Sequence, residues 1–286
     1  MNQNNKWVKV IGWSLFLIAT GFFCLQVGYL FLHARFQVEY IDNRLFYIIN
    51  ILSLILLFLA IILLLKTSKR FKLISSGLVV LFVIAHIFLL VDSNNKIKNI
   101  TSISPDFKHV FSIKENVGTG EAVYYRSYYG IFGRPKETLS YKMVGEYKIE
   151  WLAKDIAAFS YQSNENTIQQ FIGTYGDRKN GLSYYYVGAE IHGTWQGDNV
   201  EVVSSPKGIS VSENNHATLF EWENIKQFGT LAVVLMKNNE AIWTISLNEN
   251  SMVYSDASKP TTGNIRLYKA TMESEPITLQ YVDTKY

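Results

Sequence analysis

Residues 45–65 read LFYIINILSLILLFLAIILLL, with no Lys, Arg, Asp or Glu among them. The hydrocarbon core of a bilayer takes ~20 helical residues to cross, so this stretch is long and apolar enough to span one. Outward on either side, residues 10–32 and 73–91 are equally free of ionic side chains. In lipid every backbone polar group must be satisfied within the chain, which leaves helices as the form for such segments. Residues 1–92 are therefore expected to form an anchor of three transmembrane helices.

Basic residues give an expected orientation. Lys6 and Lys9 flank the first span, and Lys66, Lys69, Arg70 and Lys72 fill the turn between the second and third with no acid. The other turn mixes Arg35 and Arg44 with Glu39 and Asp42. The positive-inside bias then places the N-terminus in the cytoplasm and everything after Asp92 outside the cell membrane. The first span exceeds the h-region of about 7–15 residues in a removable signal, and Leu32-His33-Ala34 puts a bulky Leu where a cleavage site takes a small residue. Retention is expected. Cys24 lies deep in the span and follows Phe22-Phe23, unlike a lipid-attachment site.

Of 27 basic residues 8 precede Asn94, against 3 of 24 acids, which leaves 19 basic and 21 acidic residues beyond. The positive excess belongs to the anchor. A domain that neutralises phosphates would itself be basic, so nucleic acid is not an expected partner. A single cysteine excludes any intrachain disulfide, and ~190 residues bury enough apolar surface to fold without one. The usage of Asn, Ile, Lys, Phe and Tyr suits a low-GC Gram-positive bacterium.

Within the spans the polar residues are Gln26, Asn50 and His86. Each lies five or six residues from the outer end of its helix, so at ~1.5 Å per residue all three are expected ~8–9 Å below the outer surface, close enough to form an intramembrane polar cluster. Interhelical hydrogen bonding is the plain role for such residues. His86 is also a candidate proton-sensitive group, since ionisable side chains in lipid are functional candidates by default. Nothing in the three spans suggests the inverted repeats or broken helices of a transporter. Ser14, Gly21 and Gly28 at heptad spacing, and Thr20, Cys24 and Gly28 at every fourth position, form small-residue rows. These are expected to pack against spans two and three, with a homo-oligomer seam as the other reading. Tyr29 and Tyr47, and Trp7 and Trp13, fit interfacial belts.

Residues 93–106 are polar, contain Pro105 and read as a linker. Residues 107–286 are expected to form an all-β antiparallel sandwich or barrel, because apolar and polar residues alternate there, as in Val123 to Tyr128 and Tyr147 to Leu152. Asn180-Gly181 reads as a hairpin between runs 168–175 and 182–191, with further turns at Gly197-Asp198-Asn199 and Asn238-Asn239. Strands are also expected at 251–254, 265–270 and 277–282. Brief helices are expected only within 151–159 and 218–228. The residues leave open whether this region is one β body or two, divided near 193–199.

Catalytic signals are missing. His33, His109, His192 and His216 are dispersed without metal-ligand spacing, and no thiolate is at hand. No Gly-x-Ser-x-Gly, Ser-x-x-Lys or phosphate-loop motif occurs. Val117-Gly118-Thr119-Gly120 precedes a strand rather than a helix and reads as a turn. No catalytic residue, metal or cofactor is therefore expected, and the chain is expected not to be an enzyme. Tyr124, Tyr125, Tyr128 and Tyr129, with Tyr184, Tyr186 and Trp195, form the candidate aromatic surface, because strand alternation sends part of each group outward. Gly193-Thr194-Trp195 resembles the Gly-x-Trp element near the start of the first strand in lipocalin-like barrels; no ligand is carried over from it.

The expectation that follows is a multi-pass bacterial membrane protein with an extracytoplasmic, non-catalytic binding or sensing domain. Its expected partners are the lipid bilayer and either a membrane or envelope protein or an extracellular glycan or peptide. Two alternatives predict otherwise. A self-immunity protein against a toxin or bacteriocin predicts toxin sensitivity on deletion, and an envelope glycan or peptide hydrolase predicts one indispensable outer acid or histidine.

Overall fold

The structure, a computed structural model, describes residues 3–128, 130–176, 178–180, 184–254 and 261–282. The chain divides into two compact units, Met1–Thr101 with Ser112–Thr138, and Ser102–Phe111 with Leu139–Tyr286.

The first unit begins with the three apolar helices: α1 (Gln3–Phe36), α2 (Arg44–Leu64) and α3 (Lys69–Lys96), each long and apolar enough to cross a membrane. Between α1 and α2 the turn forms a two-residue strand, β1 (Glu39–Tyr40). The tight turn into α3 is capped by Ser68, whose hydroxyl accepts from the Phe71 amide at 3.2 Å, satisfying one of the orphan donors of a helix start. After the helices come β2 (Ile97–Ile103), β3 (Val110–Asn116), β4 (Ala122–Tyr128) and β5 (Phe132–Thr138), in a five-stranded sheet of order β1-β5-β4-β3-β2.

Residues 93–106 are thus not a linker. The polar run Asp92 to Lys96 continues α3, helped by an Asp92–Lys96 pair at 2.7 Å one turn apart, and Ile97 and Ile100 then enter the sheet, with Ile100 buried. Nor is 107–286 a single body, because residues 112–138 cluster with the helices.

The second unit opens with a three-stranded sheet, β6 (Met143–Ala153), β7 (Ile156–Ser163) and β8 (Ile168–Thr174), paired in that order. The helix expected within 151–159 is therefore the β6–β7 hairpin. β9 (Lys179–Asn180) follows, then α4 (Val187–Glu190) and β10 (Gly193–Gly197), β11 (Val200–Ser205), β12 (Gly208–Glu213) and β13 (His216–Phe220). A 3-10 turn (Trp222–Asn224) leads to β14 (Ile225–Phe228), β15 (Ala232–Lys237), β16 (Glu240–Leu247), β17 (Val253–Tyr254), β18 (Asn264–Lys269) and β19 (Ile277–Val282). The expected helix at 218–228 is only this turn between two strands.

Among the described residues, runs 168–175 and 184–191 do not pair as a hairpin. β8 ends at Thr174, and Lys179 and Asn180 pair in parallel with Val253 and Tyr254; Gly181 lies outside the described residues. Val187 and Ile191, four apart at the two ends of α4, are buried, as is Tyr185 just before it. The turns at Asp198 and at Asn238-Asn239 do form, with positive φ at each, which Asn and Asp tolerate best among side-chain-bearing residues.

Nine strands form one antiparallel sheet of order β13-β12-β11-β10-β19-β18-β16-β15-β14. Every neighbouring pair is antiparallel, so its two end strands, β13 and β14, run in the same direction. They are joined by the short 3-10 turn, and together they amount to one interrupted strand. The sheet is therefore an eight-strand meander curled into a nearly closed barrel whose one seam lies at that interruption.

Gly193-Thr194-Trp195 stands on β10, mid-way along the chain and first in order among the strands of this sheet. Trp195 is 1% exposed and its indole Nε1 donates to the Ile191 carbonyl at 2.8 Å. Gly193 has φ +117°, and a Cβ there would meet the Tyr281 ring at 2.7 Å. Alternate residues such as Val202, Ile209, Val233, Ile245 and Leu267 fill the core beside Trp195, each contributing ~1.5–3 kcal/mol by leaving water. Gln227 on β14 holds the segment before α4, with its Nε2 donating to the Tyr185 carbonyl and its Oε1 accepting from the Val187 amide, at 2.9 and 3.0 Å.

Candidate functional site

Within the first unit, α1 and α2 pack antiparallel along one row: Gly12 against Leu64, Ala19 against Ser53 and Gln26 against Phe46. These three α1 residues are seven apart and all buried. The row is not one of those expected from small residues alone. A Cβ on Gly21 or Gly28 would meet nothing within 4 Å, and Cys24 is exposed. The side chains that α2 needs room for set the interface, so Gly12 is where close approach matters.

Gln26 links helix to turn. Its Nε2 donates to the Phe46 carbonyl at 2.9 Å and its Oε1 accepts from the Tyr40 hydroxyl at 3.4 Å. Tyr40 is buried against the Tyr29 and Phe132 rings, at centroid distances of 4.3 and 5.1 Å. Burial pushes its phenol pKa up from 10.0 to about 12.

One turn residue further, the sheet reaches back. Lys114 of β3 has a side chain 5% exposed, and its ammonium donates to Glu39 at 2.6 Å and to the Asn43 carbonyl oxygen at 2.7 Å. The Tyr125 ring lies 4.2 Å from the same nitrogen, within cation–π range. Desolvation lowers the Lys114 pKa, opposed by Glu39. Burial, and then the charge and hydrogen bond of Glu39, push the Tyr125 phenol well above its ordinary value. The turn is tied down further by Ser112 donating to the Ile41 carbonyl at 2.9 Å and by Asn99 accepting from the Asn43 amide at 3.0 Å.

Glu39 and Asn43 also line a pocket of about 350 Å³ with Tyr29, His33, Tyr47 and Ser93, at the ends of all three helices. Aromatic faces, a carboxylate, an amide, an imidazole and a hydroxyl converge there. Such a lining suits a small ligand carrying both apolar and hydrogen-bonding groups. Among the described residues no group of three or more His, Cys, Asp or Glu is placed to hold a metal.

Of the expected polar cluster, Gln26 is buried while Asn50 and His86 are half-buried. His86 bonds the Phe82 carbonyl of its own helix through Nδ1 at 3.1 Å and approaches the Tyr47 ring at 6.4 Å. No hydrogen bond joins any two of the three among the described residues. Gln26 is instead engaged by the backbone of α2 and by Tyr40.

The aromatic surface is also divided. Tyr124 and Tyr125 are both buried, because a register shift between them breaks the alternation that would have turned one outward. Tyr128 is exposed, and Tyr129 lies outside the described residues. Tyr184 and Tyr186 are exposed and meet edge-to-face at 5.5 Å. Trp195 belongs to the barrel core and presents no outer face. A larger groove of about 680 Å³, lined by Gln196, Asp198, Glu201 and Asn214 at hairpin turns, carries no aromatic ring.

Sequence reading missed Lys114. In β3 it shares a strand face with Ser112 and Asn116, which reads as a solvent face; that face is covered by the α1–α2 turn. The signal available was Glu39, an acid in a short turn between two spans. No protein-family model matches this chain, and no curated protein is found to be similar to it.

Proposed function

We propose that this is a bacterial membrane protein whose β-rich part faces the extracytoplasmic space and acts as a non-catalytic binding or sensing module. The observation that carries the reading is the double use of Glu39 and Asn43. They wall the pocket and they hold Lys114. A ligand that engages either residue alters the contact tying the sheet to the turn between two spans, and so has a direct route to the helices.

Glu39 serves structure here. It accepts from Lys114 at 2.6 Å, which suits a fixed recognition element better than a proton shuttle. The extracytoplasmic assignment rests on the basic residues at the other end of the helices. An envelope glycan or peptide fragment is the ligand class that this location and lining favour.

Two experiments test the proposal. A C-terminal tag on intact cells should be lost to added protease while a cytoplasmic protein survives; protection until lysis would overturn the orientation. Purified full-length chain in detergent should gain thermal stability with soluble cell-wall glycan or peptide fragments, and Ser93→Trp, which fills the pocket, should abolish the gain. No shift in the parent, or an equal shift in Ser93→Trp, would remove the pocket from the reading.

A further inference from the structure

A second pocket lies at the opposite end of the helical hairpin. Lys9, Trp13 and Phe16 of α1 and Ile61, Leu64 and Leu65 of α2 enclose about 390 Å³. It exists because Gly12 lets Leu64 come in close; a Cβ there would stand 2.8 Å from the Leu64 side chain. Trp13 and Phe16 meet edge-to-face at 5.7 Å and form one wall. Trp13 and Leu65 are exposed in the absence of surrounding molecules.

Both helices are long and apolar enough to span a bilayer, whose lipid offers this surface acyl chains and headgroups. Five of the six lining residues are apolar and match an acyl chain. The sixth is Lys9, which has no carboxylate partner among the described residues. Its surroundings are also unbalanced: Lys6, Lys9, Lys66, Lys69, Arg70 and Lys72 gather at this end, and the sequence has no acid before Glu39 or between Lys66 and Lys72. Basic pockets between membrane helices are suited to anionic headgroups, and Trp at the same depth marks the interface where those headgroups sit.

We propose that this pocket is a binding site for an anionic phospholipid, with the phosphate on the Lys9 ammonium and one acyl chain against Trp13, Phe16 and Ile61. The site is independent of the pocket near Glu39 and of any ligand there.

Trp13 reports occupancy directly. Full-length chain is placed in phosphatidylcholine vesicles containing a minor fraction of brominated phosphatidylglycerol or brominated phosphatidylcholine, and the Trp13 signal is taken as the difference between parent and Trp13→Phe. The relative affinity of the anionic lipid should be about fivefold, the ratio equivalent to ~1 kcal/mol for one lysine near the surface. Lys9→Gln should bring the ratio to about one, whereas Lys9→Arg and Lys69→Gln should keep it. Equal quenching by the two lipids in the parent would overturn the site. So would a preference that survives in Lys9→Gln, since it would then come from diffuse surface charge. An Ala19→Cys/Ser53→Cys crosslink that still forms in Lys9→Gln on a Cys24→Ser background verifies that α1 and α2 still pack, which separates loss of the charge from loss of the fold.

Discussion

Replacing Lys114 by Met tests whether the buried ion pair or the apolar packing around it holds the α1–α2 turn to the sheet. The substitution keeps most of the side-chain volume and removes the ammonium. Glu39 then loses its 2.6 Å partner and Asn43 its 2.7 Å donor. Breaking a fully buried pair by removing one member costs about 3–5 kcal/mol. Glu39 keeps 30% of its side chain exposed, so water recovers part of that, and about 2–3 kcal/mol is expected. Adding Glu39→Gln should restore at least half of the loss, because an unpaired carboxylate is no longer buried. The assay is pulse proteolysis of full-length chain in detergent across a urea series, with an N-terminal tag reporting the first unit. With m near 1–3 kcal/mol per molar, the single variant should move the midpoint down by about 0.7–3 M. There is also a pH signature. Because burial lowers the Lys114 pKa from 10.5, the unfolded chain holds this proton at pH values where the folded chain has released it. The neutral amine can still donate to Glu39 and Asn43, which Met cannot, so the Lys114 contribution rises with pH in the alkaline window just below 10.5 although Lys114→Met costs stability, and that slope should vanish in the variant. A single variant within about 0.5 kcal/mol of the parent, or a double variant no more stable than the single, would refute the reasoning.

Gly12→Leu should separate α1 from α2, whereas Gly21→Leu, with open space around it, should not. An Ala19→Cys/Ser53→Cys crosslink on a Cys24→Ser background reads the difference. Tyr40, with its phenol raised to about 12 by burial, favours the fold fully below pH 10 and loses that contribution between pH 10 and about 12; Tyr40→Phe should flatten this alkaline decline in thermal stability. Gly193→Ala forces a Cβ-bearing residue to φ +117° and a Cβ into the Tyr281 ring. It should cost the barrel at least ~2 kcal/mol, seen as an earlier melting transition by tryptophan fluorescence.

The spans were legible because lipid imposes one rule on the whole segment, and apolar length alone reveals it. The barrel strands were legible where buried and more open positions alternate, as in β11 with Val200 and Val202. The failures are local and have causes. Polar residues 93–96 looked like the start of a linker because the Asp92–Lys96 i,i+4 ion pair is a weak signal against composition. Residues 182–191 looked like a strand because Tyr185, Val187 and Ile191 are apolar, yet they fill the barrel core from a helical turn and the residues flanking it. At the candidate site the aromatic grouping was misleading, since a register shift buries Tyr124 and Tyr125 together. Lys114 was invisible because its partner stands 75 positions away.

The first unit is discontinuous along the chain: its sheet needs β1 from between two spans and β3 to β5 from beyond residue 110. Shortened chains that stop after the third helix, the usual substrates for mapping membrane topology by C-terminal reporter fusion, would strip the sheet of four of its five strands and leave Glu39 without Lys114. Reporter activity from such fusions would describe a damaged anchor. Sidedness in this protein is better read from insertions at exposed turns, such as Val117 to Gly120, that leave the remainder of the chain in place.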